Sequence, residues 1–280
     1  MSEKLFGIAA IFILMAFPAT ATANDFCDQL AHRVRVGIDA TYMSMEPESS
    51  LRLLHTQTKD ILHAQCGENP EAAYAELRMQ ELGAGAAFPT GILSPLQIQV
   101  LKDTASAYLA RFPESVEIAT IAARAYHSPE TAREAIRLSP SYPPAHAALA
   151  ESLLVAGQTE DAYAALRVIH DLTILTDGYT LQARILLAMG DPEHAYQAAR
   201  TAITKRHVMS FIEPDGDNML PICQANEVLG RIYLQRRQFG KAARSLINAH
   251  PCSPNAAALL STPPEPLRKA LRQLNYNKDL

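Results

Sequence analysis

Tryptophan is absent from this chain of 280 residues, and aromatic residues make up only 6% of it. Apolar residues nevertheless account for 48%, so the core has to be built mainly from alanine and leucine, which agrees with an all-helical protein. Basic residues are also in deficit, and the formal net charge is −4. Without a basic aromatic platform, the composition argues against a nucleic-acid partner.

The motifs of common catalytic sites are missing as well. The sequence contains no G-x-S-x-G, no H-E-x-x-H, no G-x-x-x-x-G-K-[ST] and no C-x-x-C-H. The run from His127 to Glu130 looks like a catalytic cluster, but Ser128 and Pro129 are typical of a helix N-cap and the first helical turn. We therefore predict that the chain is not an enzyme and that it has no catalytic residue, no cofactor and no metal.

The N-terminus indicates export. Lys4 is followed by an apolar run at 5–17, and Ala21-Thr22-Ala23 has the small-residue pattern of a signal-peptide cleavage site. The run is too short to span a membrane comfortably. We predict cleavage after Ala23, a location in the periplasm or outside the cell, and no transmembrane segment in the mature chain.

The most informative pattern lies near the C-terminus: Leu229-Gly230-x-x-Tyr233, Phe239, Ala242-x-x-x-Leu246, Ala249 and Pro254. Gly230 and Ala242 are small where two antiparallel helices must approach, and Pro254 is expected to end the second helix. This pattern resembles the tetratricopeptide repeat, a helix–turn–helix unit of about 34 residues. The resemblance implies a helical scaffold that binds a partner protein or peptide.

The small residue of the second helix recurs at Ala132, Ala162, Ala195 and Ala242, at intervals of 30, 33 and 47 residues. With this recurrence, the resemblance implies an all-α fold in which antiparallel helix pairs stack as a tetratricopeptide-like right-handed superhelix, preceded by an N-terminal helical region. The predicted parts are a signal peptide at 1–23, the N-terminal helical region at 24–112, repeats at 113–254 and a C-terminal capping helix at 255–280.

Proline spacing and apolar periodicity place the remaining elements. The predicted helices are 25–43, 48–65, 70–82, 95–111 and 264–274, with a linker at 83–91. The helix at 95–111 is expected to bury Leu96, Leu101, Ala105, Tyr108 and Leu109 on one side. The long last interval places an insert at about 205–221. Its apolar residues, Val208, Met209, Phe211 and Ile212, are a second candidate contact surface.

In the resembled family, the first helix of each repeat lines a concave groove that holds a partner segment. Carried over by position, the groove residues are Glu151, Leu154, Arg184, Leu187, Glu227, Arg231 and Gln235. Their mixed charges lead us to expect an acidic or mixed-charge segment of a partner. Each charged residue has an alternative role, which is to pair with a neighbouring repeat.

The four cysteines fall into two pairs. Cys27 and Cys66 are symmetric about the expected turn of the first hairpin, and Cys223 and Cys252 are symmetric about the turn of the last repeat. Residues equidistant from the turn of an antiparallel hairpin lie side by side, so we predict two disulfides. A metal site formed by Cys27, Cys66 and the flanking His32 and His63 is the alternative.

Two classes of function follow. The first is a periplasmic scaffold or adaptor that helps to assemble or tether a cell-envelope complex. The alternative is an envelope protein that binds a metal or small ligand, or an accessory subunit of an envelope enzyme.

Charge is uneven between the two parts of the mature chain: residues 24–204 carry 13 basic and 22 acidic side chains, and residues 205–280 carry 11 basic and 6 acidic side chains.

Overall fold

The computed structural model describes residues 23–42, 57–58, 60–81, 93–172, 176–209, 219–250 and 253–276. Thirteen α-helices are delimited within these ranges, a further helical segment covers 60–66, and no described residue belongs to a β-strand. The prediction of an all-α chain is confirmed. No helix in the described ranges is long and apolar enough to cross a lipid bilayer. The predicted signal peptide, up to residue 22, and the predicted linker at 83–91 lie outside them.

The N-terminal region comprises three delimited helices and the segment at 60–66: α1 (Ala23–Tyr42), α2 (Pro70–Glu81) and α3 (Pro95–Arg111). A disulfide joins Cys27 of α1 to Cys66, as the sequence predicts. Residues 43–56 of the predicted hairpin lie outside the described ranges. The side chain of Asn69 caps α2 by accepting from the amide of Ala72 at 2.9 Å, and it donates to Asp28 of α1 at 2.7 Å.

Eight helices then form four consecutive pairs. Their bounds are α4 (Val116–Tyr126), α5 (Pro129–Leu138), α6 (Pro143–Val155), α7 (Thr159–Leu172), α8 (Thr176–Ala188), α9 (Pro192–Met209), α10 (Met219–Gln235) and α11 (Phe239–Ala249). Only two or three residues connect the members of each pair, and those members pack together, so each pair is antiparallel. We refer to them as pairs one to four.

All four pairs turn in the same way. The backbone is left-handed at His127, Gly157, Gly190 and Arg237, where φ lies between 49° and 81°. In each turn the next amide donates to a carbonyl five residues earlier, at 2.8–3.0 Å. This is the geometry with which helices commonly end on a left-handed residue. These four residues are separated by 30, 33 and 47 positions, the same intervals as the small residues, so the repeat register read from the sequence has a physical basis.

Small residues hold the members of each pair together. Ala132, Ala162, Ala195 and Ala242 are all fully buried. A Cβ atom built on Gly230 would lie 2.7 Å from Cδ2 of Leu246, which shows how closely α10 and α11 approach. Each first helix also packs against the first helix of the next pair, so the four pairs stack on one another in chain order.

The two ends of the stack are covered. At the N-terminal end, α3 packs on α4 and buries Leu101, Ala105 and Tyr108. Leu96, expected on the same buried side, is instead 74% exposed, because it lies in the first helical turn, before the buried stretch begins. At the C-terminal end, α12 (Pro254–Ser261) and α13 (Glu265–Gln273) both pack on α11. Leu267 and Leu271 of α13 are fully buried.

The predicted boundary at Pro254 is wrong, and the helices on either side of the expected insert extend into it. Pro254 does not end a helix but begins one: α11 stops at Ala249, and Ser253 caps α12 by accepting from the amide of Ala256 at 3.0 Å. Proline is favoured in the first helical turn, where its missing N–H has no partner to lose. The expected insert at 205–221 is helical at both ends, because α9 continues to Met209 and α10 begins at Met219. Phe211 and Ile212 lie outside the described ranges.

Candidate partner-binding groove

The residues predicted to line a groove do come together. Leu154, Arg184, Leu187, Glu227 and Arg231 all line one open cavity of about 360 Å³, formed by the first helices of pairs two, three and four. Glu151 lies beside this cavity and contacts Arg184. Gln235 is exposed at the end of α10 and is not among the lining residues.

One wall of the cavity was not expected from the sequence. Ser253, Pro254 and Asn255 line it from the start of α12, and Val228 adds an apolar side chain from α10. The repeat pattern gives no signal for this wall, because Pro254 was taken as the end of the last repeat. The short helix α12 therefore helps to cap the stack and also completes the cavity.

Arg184 links pairs two, three and four. Its Nη1 donates to Glu151 Oε1 at 2.8 Å and to Gln224 Oε1 at 3.3 Å. Burial alone would raise the pKa of Glu151, but the charge and hydrogen bond of Arg184 hold that pKa below its ordinary value. Both side chains are little more than one quarter exposed. The alternative role considered for the charged groove residues, pairing with a neighbouring repeat, is therefore realised by Arg184 and Glu151.

Glu227 is held mainly by neutral donors. The Ser253 hydroxyl donates to its Oε2 at 2.7 Å, and the Asn255 amide donates to its Oε1 at 3.1 Å. Arg231 lies one helical turn further along α10, and its Nη1 is 3.6 Å from the same Oε1. The Arg231 side chain is 54% exposed, whereas that of Glu227 is 14% exposed. In this pair, the guanidinium of Arg231 is therefore the accessible group, and the carboxylate of Glu227 is the shielded one.

The corresponding surface of pair one is already occupied. Arg124 stands three residues before the left-handed turn residue of its pair, the position that Leu154 and Leu187 hold in pairs two and three. Glu81, the last residue of α2, binds the Arg124 guanidinium through both carboxylate oxygens at 2.6 and 2.8 Å, and it accepts from Arg78 at 2.6 Å. The end of α2 therefore covers this position in the first pair.

The Arg124–Glu81–Arg78 cluster is well shielded from solvent. The side chains of Arg78, Glu81 and Arg124 are 12%, 16% and 26% exposed. Burial alone would raise the pKa of Glu81, but the charges and hydrogen bonds of the two arginines hold it below its ordinary value. The cluster ties α2 to the first pair of the stack. Two further contacts join α3 to the earlier part of the N-terminal region: Tyr108 donates to Glu76, and Arg111 donates to the carbonyl of Gly67 at 2.6 Å.

The alternative metal site is not assembled in this structure. Cys27 and Cys66 are joined in a disulfide, so neither offers a thiolate, and the rings of the flanking His32 and His63 are exposed. Among the residues described, no group of three or more histidine, cysteine, aspartate or glutamate side chains is arranged to hold a metal ion. Cys223 is also disulfide-bonded. Its predicted partner, Cys252, lies outside the described ranges.

Comparison with known proteins gives little beyond the helical architecture. No protein-family model matches the chain, and no curated protein matches it. Among solved structures, that of a thermophilic TPR protein from Thermus thermophilus is similar over 66% of this chain and 100% of the other. The identity is 16% and the TM-score is 0.48. The helix pairing described above is established by this chain's own turns and contacts.

Proposed function

We propose that this chain is an exported scaffold or adaptor that binds a segment of a partner protein in the groove along α6, α8 and α10. The observation that carries the proposal is the open cavity of about 360 Å³, which is lined by both charged and aliphatic side chains. Its volume is at the small end of ligand pockets, so it suits a few side chains of an extended segment rather than a large cofactor.

Export is supported by two features of the chain. The N-terminal sequence has the pattern of a signal peptide, and the disulfide between Cys27 and Cys66 is of the kind that persists in oxidising compartments. In a bacterium that compartment is the periplasm, and the role we assign there is to help assemble or tether a cell-envelope complex. A partner that is itself an envelope enzyme would make the chain an accessory subunit that uses the same groove.

Site-specific photocrosslinking in intact cells tests this function. A photoreactive residue in place of Leu187 lies in the groove. One in place of Val168 lies on the exposed surface of α7, the second helix of pair two, and serves as the control. We expect discrete adducts with an envelope protein from the first position and none from the second. Equal labelling from both positions, or adducts that lack any envelope protein, would contradict the proposal.

A further inference from the structure

Within the part of the chain that the structure describes, Arg231 has only a loose ion pair. Its nearest described carboxylate is that of Glu227, 3.6 Å away, and both oxygens of that carboxylate already accept shorter hydrogen bonds from Ser253 and Asn255. More than half of the Arg231 side chain is exposed to the cavity and to solvent. A guanidinium in this position retains donors for a carboxylate that enters from outside.

The other arginine of the cavity, Arg184, is already paired within the fold. Arg184 has one carboxylate partner, Glu151, and its other neighbour is the neutral Gln224 of α10. Among the described residues, the cavity lining carries two guanidinium groups, those of Arg184 and Arg231, and one carboxylate, that of Glu227. Glu151 beside the cavity neutralises Arg184, so Arg231 is the cation that an anionic group of the ligand would complement.

Pair one offers a partial precedent for a bound carboxylate. Arg124, which holds the position of Leu154 and Leu187 rather than that of Arg231, binds the side-chain carboxylate of Glu81 through both oxygens, largely shielded from water. That carboxylate comes from α2, a helix outside the repeats. The end of α2 thus covers this position in pair one, and the open cavity lies along pairs two to four.

Aliphatic side chains from the three first helices line the same cavity as the two arginines: Leu154, Leu187 and Val228. An acidic side chain on the guanidinium of Arg231 would therefore place a neighbouring residue of the ligand against apolar surface. Burial of that residue adds binding free energy in proportion to its apolar area.

We propose that the groove recognises an aspartate or glutamate side chain, next to an aliphatic residue, in an extended segment of the partner. The acidic side chain binds Arg231, and the aliphatic residue packs on Leu154, Leu187 and Val228. This inference rests on the proposed function, and it names the chemistry of the segment that the groove holds.

Selection of random peptides on the oxidised full chain tests the inference. The C-terminus of each displayed peptide is fused to its carrier, so that every captured carboxylate belongs to a side chain. We expect the enriched sequences to share one acidic position beside an aliphatic one. Changing that acid to its amide in a synthetic, C-terminally amidated peptide should weaken binding about tenfold, as expected for a charge-assisted hydrogen bond.

Variants of the protein assign the effect to Arg231. Arg231→Gln should remove the preference for the acidic peptide over its amide, and Arg231→Lys should retain part of it. Arg244→Gln, on the exposed surface of α11, is the matched control and should change nothing. Two results would overturn this inference and leave the groove function standing. In the first, the enriched peptides lose binding to Leu187→Asp but show no preference for an acidic residue. In the second, the preference for the acidic peptide survives Arg231→Gln.

Two other outcomes are also decisive. If no peptide is enriched, or if enriched peptides bind Leu187→Asp and Arg231→Gln as well as the natural chain, the inference and the proposed groove function fail together. Binding that requires a free C-terminal carboxylate would overturn the assignment to a side chain.

Discussion

Replacing Gly230 with alanine places a methyl group inside the seam between α10 and α11. The new Cβ atom would lie 2.7 Å from Cδ2 and 2.8 Å from Cγ of Leu246, whose side chain is fully buried. Overpacking of a tight core costs about 1–3 kcal/mol, and the better helix propensity of alanine offsets about 1 kcal/mol of that. We expect Gly230→Ala to lower the free energy of unfolding by about 1 kcal/mol.

Gly240 provides the matched control. It lies in α11 of the same pair, and a Cβ atom there would meet nothing within 4 Å. Gly240→Ala should therefore gain about 0.5–1 kcal/mol from helix propensity alone. Urea unfolding of the oxidised protein, followed by circular dichroism at the helix band, measures both changes.

A double-mutant cycle identifies the contact. Leu246→Ala alone should cost about 2–5 kcal/mol, because it leaves a cavity in the seam. In that background the clash is gone, so Gly230→Ala should become neutral or stabilising. The close-approach explanation would be refuted if Gly230→Ala and Gly240→Ala had equal effects, or if the cost at Gly230 persisted after Leu246→Ala.

Two further predictions concern the turns and the N-terminal junction. Gly157→Ala should destabilise the fold by about 1 kcal/mol in urea unfolding, because φ is +76° at Gly157. Arg237→Gly should stabilise the fold by up to about 1 kcal/mol, because glycine adopts the φ of +56° at this position without strain. Effects of the same sign would contradict the shared turn geometry. Glu81→Gln should cost about 2 kcal/mol at pH 7, and Glu265→Gln, in an exposed pair with Arg268, less than about 0.5. The fold lowers the pKa of Glu81. The stabilisation that ionised Glu81 provides is therefore fully present above the ordinary carboxyl pKa and is lost as the pH falls through the lowered value. The difference in urea midpoint between the natural chain and Glu81→Gln should shrink on acidification.

The elements that the sequence predicted well are those whose signals are local. The helix at 95–111 was placed correctly because Pro95 marks its first turn, and the structure adds a capping box between Ser94 and Gln97. The turns of the repeats follow from small residues at fixed offsets, which close packing requires. The positions carried over from the resembled family include five residues that line the cavity, whereas Glu151 lies beside it and Gln235 is not among its lining residues.

What the sequence missed depends on contacts between distant segments. Glu81 and Arg124 are 43 residues apart, and no local pattern couples α2 to the first pair. The helix α12 was overlooked because Pro254 was interpreted as a stop, although Ser253 before it is equally a start signal. The same error hid one wall of the cavity. Arg184 was expected as a ligand anchor, and the structure shows that it also joins three pairs, so Arg184→Glu would disturb the fold as well as binding.

The Ser253 hydroxyl has two partners that belong to different parts of the molecule. It accepts from the amide of Ala256, which fixes the start of α12, and it donates to Glu227 in the groove. Fraying of the C-terminal helices therefore releases Glu227, and displacement of Glu227 weakens the cap. Local unfolding at the chain terminus and occupancy of the groove are thus thermodynamically coupled, and amide hydrogen exchange in α12 should slow when a ligand leaves the Ser253–Glu227 bond intact. A C-terminal truncation that reached Ser253 would therefore also remove one wall of the cavity and the hydrogen bond that positions Glu227.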